Sequence, residues 1–178
     1  LSMQSTQNVG AFANVCVGYG TGSNIGEAAD GSVFIGHAAG NVITSGAGNI
    51  GIGYQALSTH VDGNRNIAIG YQAMSDTDAG STADGSYDNI FMGYQSGAGT
   101  WANAASNYNV AIGNYSMGAA MNAALNNTAV GHGSLKVLTQ GDYNTAVGQN
   151  SLFANTTGIK NTAVGSSALS SNSTGSNN

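Results

Sequence analysis

A short alternation of apolar and small residues, closed by glycine, recurs nine times along the chain. Each copy consists of Asn, a β-branched residue, a mostly small residue, then Val, Ile or Met, and finally Gly, as in the segment 66–70. Ser32 replaces Asn in the second copy. The closing glycines are 18, 17, 17, 23, 20, 18, 17 and 17 residues apart. This period predicts a solenoid in which each coil contributes one short strand, because a unit this short cannot bury a core alone.

Successive side chains of a strand point to opposite faces, so each copy should present two different surfaces. Ile67 and Ile69 are predicted to share one apolar face with the equivalent branched residues of the other copies. Ala68 and its equivalents, Ala111 and Ala146 among them, form a face of mostly small residues. Small side chains permit a close neighbour, which is either another wall of the same coil or another chain.

The residues between the strands repeat as well. An Ala-Leu, Ala-Met, Ser-Leu or Ser-Met pair follows many of the glycines after two residues, and a Gly-x-x-Asn sequence leads into several of the next copies. Each unit is therefore predicted to be a strand, a glycine turn, a second apolar segment and a Gly/Asn turn. The predicted fold is all-β, a parallel β-solenoid of about nine coils. Residues 1–13 are an atypical N-terminal segment or cap, and residues 14–178 form the solenoid, which is expected to continue beyond 178.

The amino-acid composition argues against several classes of function. The 178 residues carry a net charge of −5, and Arg65, Lys136 and Lys160 are the only basic residues, so nucleic-acid binding is not expected. No apolar run is long enough to cross a bilayer, so membrane insertion of this segment is not expected either. No arrangement of Ser, His and acidic residues matches a catalytic motif. The chain is therefore predicted not to be an enzyme and to need no cofactor.

At its Asn-x-Ala-Val/Ile-Gly copies and Ala/Ser-Leu steps, the chain resembles the YadA-like head repeats of trimeric autotransporter adhesins and related β-roll repeats of phage tail fibres. The resemblance covers roughly residues 14–178. It implies a left-handed β-roll, three chains around one axis, and attachment to a surface or receptor. The expected setting is extracellular, on a cell surface or a virion fibre, with a host glycan or protein as partner. The alternative is a self-assembling extracellular filament subunit with a purely structural role.

Two features suggest where a ligand would bind. The residue after each strand glycine forms a column that contains Tyr54, Tyr71 and Tyr94. This column is predicted to be a structural ladder of stacked rings, with a strip that stacks on sugars as the alternative. An insertion after Gly97 contains Trp101, the only tryptophan, and insertions in solenoids often carry binding.

Four acidic residues in the insertion after Met74 are weak candidates for a hard cation: Asp76, Asp78, Asp84 and Asp88. Their spacing matches no calcium-loop motif, so no metal site is predicted. His60 lies in a predicted turn, where a surface position is the default expectation.

Overall fold

The computed structural model describes residues 13–26, 28–77, 85–101 and 104–178. Nine strands of three residues each follow one another along the chain: β1 (Val15–Val17), β2 (Val33–Ile35), β3 (Ile50–Ile52), β4 (Ile67–Ile69), β5 (Ile90–Met92), β6 (Val110–Ile112), β7 (Thr128–Val130), β8 (Thr145–Val147) and β9 (Thr162–Val164). They coincide with the nine copies of the repeat. Within the described ranges there is no helix.

The strands form one parallel sheet in which each strand pairs with the next one in the chain. The register keeps equivalent residues opposite each other, so that Ile50 pairs with Ile67 and Ile67 pairs with Ile90. The nine strands correspond to about eight turns of the coil, which confirms the predicted parallel β-solenoid. Of the predicted N-terminal cap, residues 1–12 lie outside the described residues.

The small face of the strands points into the coil. Ala68, Ala111 and Ala146 have no exposed surface, whereas the residues on either side of them are half-buried or exposed. This face therefore packs against another wall of the same coil, which was one of the two neighbours that the sequence allowed. The β-branched residues point outward, away from the core.

Two columns of side chains fill the core together, and where the residue in one column is large, the residue in the other is small. In most coils the central strand residue is small, and a Leu or Met is buried four residues after the strand glycine, as with Ala68 and Met74. In β2 the central residue is Phe34, and the later position is Gly40. A Cβ atom on Gly40 would lie 2.4 Å from Cδ1 of Phe34, so the ring occupies the space that a Leu fills elsewhere. Phe91 and Gly97 repeat this exchange.

The later column has left-handed backbone geometry in every coil. Leu57 has a φ of 54°, Met74 of 47° and Leu135 of 48°, close to the 56° of Gly40. A bulky side chain in this region is uncommon and costs about 1–3 kcal/mol. The buried side chain and the coil-to-coil hydrogen bonds hold the conformation, as in the bond from the Leu57 amide to the Ala73 carbonyl.

The asparagines that open the strands form a buried ladder. The backbone amide and the side-chain amide of Asn144 both donate to Oδ1 of Asn127, at 2.9 and 3.0 Å. The same side-chain amide also donates to the Gly158 carbonyl at 2.8 Å. Equivalent bonds link successive coils from Asn49 to Asn178. The repeated Asn therefore satisfies buried backbone groups at the turn that precedes each strand.

The glycine that ends each strand is required by its backbone. Gly70 has a φ of 138°, and a Cβ atom there would lie 2.4 Å from the carbonyl oxygen of Gly93 in the next coil. Both the torsion angle and the close approach exclude a side chain.

Candidate functional site

The column that follows the strand glycines begins with five stacked rings. This aromatic ladder consists of Tyr19, His37, Tyr54, Tyr71 and Tyr94. Neighbouring centroids are 4.9–5.4 Å apart, and neighbouring planes differ by 10–24°. The glycine turn places each ring at the end of a strand, and the parallel register stacks the rings. The predicted stacking of rings in this column is confirmed for these five coils.

Stacking determines which parts of the rings a ligand can reach. Each inner ring has a neighbour on both faces, so its edge and polar group are what remain exposed. Tyr54, Tyr71 and Tyr94 are about 40% exposed, at 40%, 45% and 39%. Sugars stack on open aromatic faces, which the inner rings do not offer. The ladder is therefore suited to hydrogen bonding along its length rather than to stacking on a sugar ring.

A row of amides runs parallel to the tyrosines. The glutamine row consists of Gln55, Gln72 and Gln95, each one residue after a ladder tyrosine. The Gln72 side-chain amide donates to Oε1 of Gln55 at 3.0 Å, and that of Gln95 donates to Oε1 of Gln72 at 2.9 Å. These bonds fix the orientation of the amides. They leave one N–H of each donating amide and one lone pair of each accepting oxygen for a ligand.

The ladder ends where the sequence of the column changes. Asn114 takes the next position, and its Oδ1 accepts a hydrogen bond from the Tyr94 amide at 2.9 Å. Tyr115, one residue later, packs edge-on against Tyr94, and burial raises the pKa of its hydroxyl. The ammonium group of Lys136 lies 5.3 Å from the centre of the Tyr115 ring. A charged and less regular surface therefore follows the neutral ladder.

Trp101 is a core residue, which corrects its prediction as a loop contact for ligands. Its side chain has no exposed surface, packs edge-on against Phe91 and donates from Nε1 to the Gly97 carbonyl at 3.1 Å. It stands in an inward column that also contains Ile43 and Leu138. A ligand outside the coil cannot reach it.

The acidic candidates do not form a cation site within the described residues. Oδ1 and Oδ2 of Asp88 accept hydrogen bonds from Arg65 at 2.7 and 3.0 Å, and these bonds lower the pKa of the carboxyl. Asp76 accepts a hydrogen bond from the Thr100 hydroxyl. Asp78 and Asp84 lie outside the described residues. In the part of the chain that the structure describes, no three His, Cys, Asp or Glu side chains are grouped to hold a metal ion.

His60 is buried, contrary to the expected surface position. It occupies the same inward column as Trp101, with 2% of its surface exposed. Its Nε2 lies 2.9 Å from the donating amide nitrogen of Asn66, so the ring proton belongs on Nδ1, which donates to Thr77 Oγ1 at 2.9 Å. Burial lowers the pKa of His60 to about 4, against smaller opposing effects of Asp62 and Gly63.

The outer face of the sheet carries no charged residue across all nine strands and is apolar except for three threonines in its first column. It has two columns: Val15, Val33, Ile50, Ile67, Ile90, Val110, Thr128, Thr145 and Thr162 form the first, and Val17, Ile35, Ile52, Ile69, Met92, Ile112, Val130, Val147 and Val164 form the second. None of these residues is fully buried in the single chain. Sequence alternation defined this face but did not show that it points outward.

Comparisons with protein-family models, curated proteins and solved structures found no match to this chain. The resemblance to YadA-like heads therefore rests on the repeat residues alone. A search of the described ranges found no helix long and apolar enough to cross a membrane.

Proposed function

We propose that the chain is a segment of an extracellular fibre or adhesin, located on a cell surface or a virion, that serves attachment without catalysis. In this proposal three copies assemble around one axis, with left-handed coils, as in the heads that the chain resembles. The observation that carries the proposal is the outer apolar face of the sheet, which runs along the whole described solenoid.

A face of this kind favours association. Its nine strands span roughly 38 Å at about 4.8 Å per step. Soluble monomers rarely expose a long continuous apolar surface, and burial of apolar area is the main driving force of stable association. Ile112 is 41% exposed in the single chain, although it lies in the middle of the sheet.

The occupant that fits this face best is a second copy of it. Each copy carries the same two columns with the same step, so two faces in register match side chain to side chain over every coil. The face contains no charged residue, so no electrostatic repulsion opposes contact between two copies. The proposed number of copies, three, comes from the resemblance to YadA-like heads.

Cryo-electron microscopy of the purified chain tests the proposal. We expect a short rod of three parallel solenoids whose sheets face the shared axis, and the density will give the hand of the coils. Open-ended filaments would favour the alternative role as a filament subunit. Single solenoids with the sheet facing solvent would contradict the assembly.

Two matched substitutions locate the contact. Ile112→Lys places a charge on the outer face and should dissociate the rod. Ile159→Lys changes the same residue type at a similar exposure, 37% against 41%, but in a turn before Asn161. It should leave the rod intact. Equal effects of the two substitutions would show that the outer face is not the contact.

A further inference from the structure

We propose that the aromatic ladder and the glutamine row bind one extended chain of a neutral, β-linked polysaccharide, laid along the solenoid axis. This inference rests on the proposed function, because it names the class of ligand that the fibre would attach to. The ligand is recognised through its hydroxyl groups, by the tyrosine hydroxyls and the glutamine amides.

The first support is the free hydrogen-bonding capacity of the two rows. Among the described residues, no hydrogen-bond partner is found for the hydroxyls of Tyr54 and Tyr71, whose rings stack on each other. The glutamine row offers a spare N–H and a spare lone pair on Gln72, as its two row bonds use one of each. A donor and an acceptor therefore recur at the Tyr54 and Tyr71 steps, whereas the Tyr94 hydroxyl already hydrogen-bonds to Tyr115. The orientation of this surface is already fixed by stacking and by the amide bonds. Such preorganisation lowers the entropy cost of binding.

The second support is the repeat distance. The ring centroids of Tyr54 and Tyr71 are 4.9 Å apart, and those of Tyr71 and Tyr94 are 5.4 Å apart. An extended β-1,4-linked chain of pyranose sugars advances by close to one such step per sugar, so successive sugars meet equivalent groups of the protein, with alternate sugars turned over. A single sugar would contact only one or two steps of an open surface. Repetition along a polymer multiplies these weak contacts into useful affinity.

The third support is charge. The ladder and the glutamine row contain no permanently charged side chain, and the whole chain has only three basic residues against eight acidic ones. The ammonium group of Lys136 lies over Tyr115, beyond the end of the ladder. An acidic polysaccharide would meet a net charge of −5 with no basic patch to receive it. The ligand class is therefore neutral.

Affinity electrophoresis of the native protein tests the inference, with hydroxyethylcellulose in the gel as the neutral β-linked probe. Dextran serves as a neutral α-linked comparison, and alginate as an acidic one. The test variant carries Tyr54→Phe, Tyr71→Phe and Tyr94→Phe, which removes three hydroxyls and keeps the stacked rings. The control is Tyr143→Phe, because Tyr143 is 56% exposed and lies outside the ladder.

We expect hydroxyethylcellulose to retard the protein more than dextran or alginate does. The triple variant should bind at least about fourfold more weakly, because it removes the two unpartnered hydroxyls and each hydrogen bond contributes a factor of roughly 2 to 10. The Tyr143 variant should bind like the native protein. No retardation by hydroxyethylcellulose, stronger retardation by alginate, or unchanged binding of the triple variant would each overturn the inference.

The native mass of the same samples separates this inference from the proposed function. Trimers that bind no neutral polysaccharide would refute only the ligand, and monomers that bind it through the three hydroxyls would refute only the assembly.

Discussion

The size exchange between Phe34 and Gly40 gives a sharp test of how the core is packed. Phe34→Ala removes a fully buried ring and should lower the free energy of unfolding by about 3–5 kcal/mol. Gly40→Leu alone forces a side chain into the ring, since its Cβ would lie 2.4 Å from Cδ1 of Phe34. Overpacking of this kind costs about 1–3 kcal/mol.

The two changes together should largely cancel. They convert the second coil to the pattern of its neighbours, in which Ala68 accompanies Met74 and the later residue already has left-handed geometry. Independent effects would add up to about 4–8 kcal/mol. We expect the double variant to lie within about 2 kcal/mol of the native protein, which corresponds to a coupling of at least about 2 kcal/mol.

Urea unfolding followed by circular dichroism measures this cycle, at one fixed protein concentration so that association contributes equally. Phe34→Ala combined with Gly97→Leu is the matched control. Gly97 has the same environment beside a different ring, Phe91, so this mispaired double variant should show additive losses. Additive losses in the Phe34 and Gly40 pair as well would refute the idea that the two columns share one space.

Three further predictions follow from buried polar and aromatic side chains. The pKa of His60 is about 4 in the folded chain and 6.5 when exposed, so its contribution is complete above pH 6.5 and lost as the pH falls towards 4. The free energy of unfolding should fall by about 3 kcal/mol over that range. In urea titrations, His60→Leu should lack this part of the pH dependence. A variant with the same pH dependence as the native protein would contradict the buried neutral ring. Asn127→Ala should lower the free energy of unfolding by at least about 3 kcal/mol, because it leaves several buried groups of adjacent coils unpaired. Asn127→Ser should cost less, since Ser32 accepts the equivalent bond from the backbone amide of Asn49 in the next coil, and equal losses would contradict this role of the side chain. Trp101→Ala should lower the free energy of unfolding by about 3–5 kcal/mol without changing polysaccharide binding, and a thermal melt like that of the native protein would show that the side chain is not packed in the core.

The repeat predicted the fold well because its signal is both local and periodic. The strand positions, their parallel register and the stacking of Tyr54 on Tyr71 all follow from the spacing of the glycines. What alternation could not decide was which face is inside. Both faces are apolar, and the coil is so narrow that Ala68 fits its interior while Ile67 and Ile69 remain outside.

The errors at Trp101 and His60 have a common cause. Both residues were interpreted from their immediate neighbours, a loop insertion and a turn, instead of from their place in the repeat. Ile43 and His60 each follow their strand glycine by seven residues, as does Leu138, which is also buried. Alignment of this column would have indicated an inward position. Trp101 follows its strand glycine, Gly93, by eight residues instead of seven, so the insertion in this coil shifts it out of the alignment by one residue.

The mass of the native chain in solution tests the central claim most directly. If the outer face of the sheet is covered by copies of the same chain, sedimentation equilibrium at micromolar concentration should give three times the 17.6 kDa of one chain. The mass should not change as the sample is diluted through that range. A constant mass of 17.6 kDa would mean that the apolar face stays open to solvent, and it would contradict the proposed trimeric fibre segment.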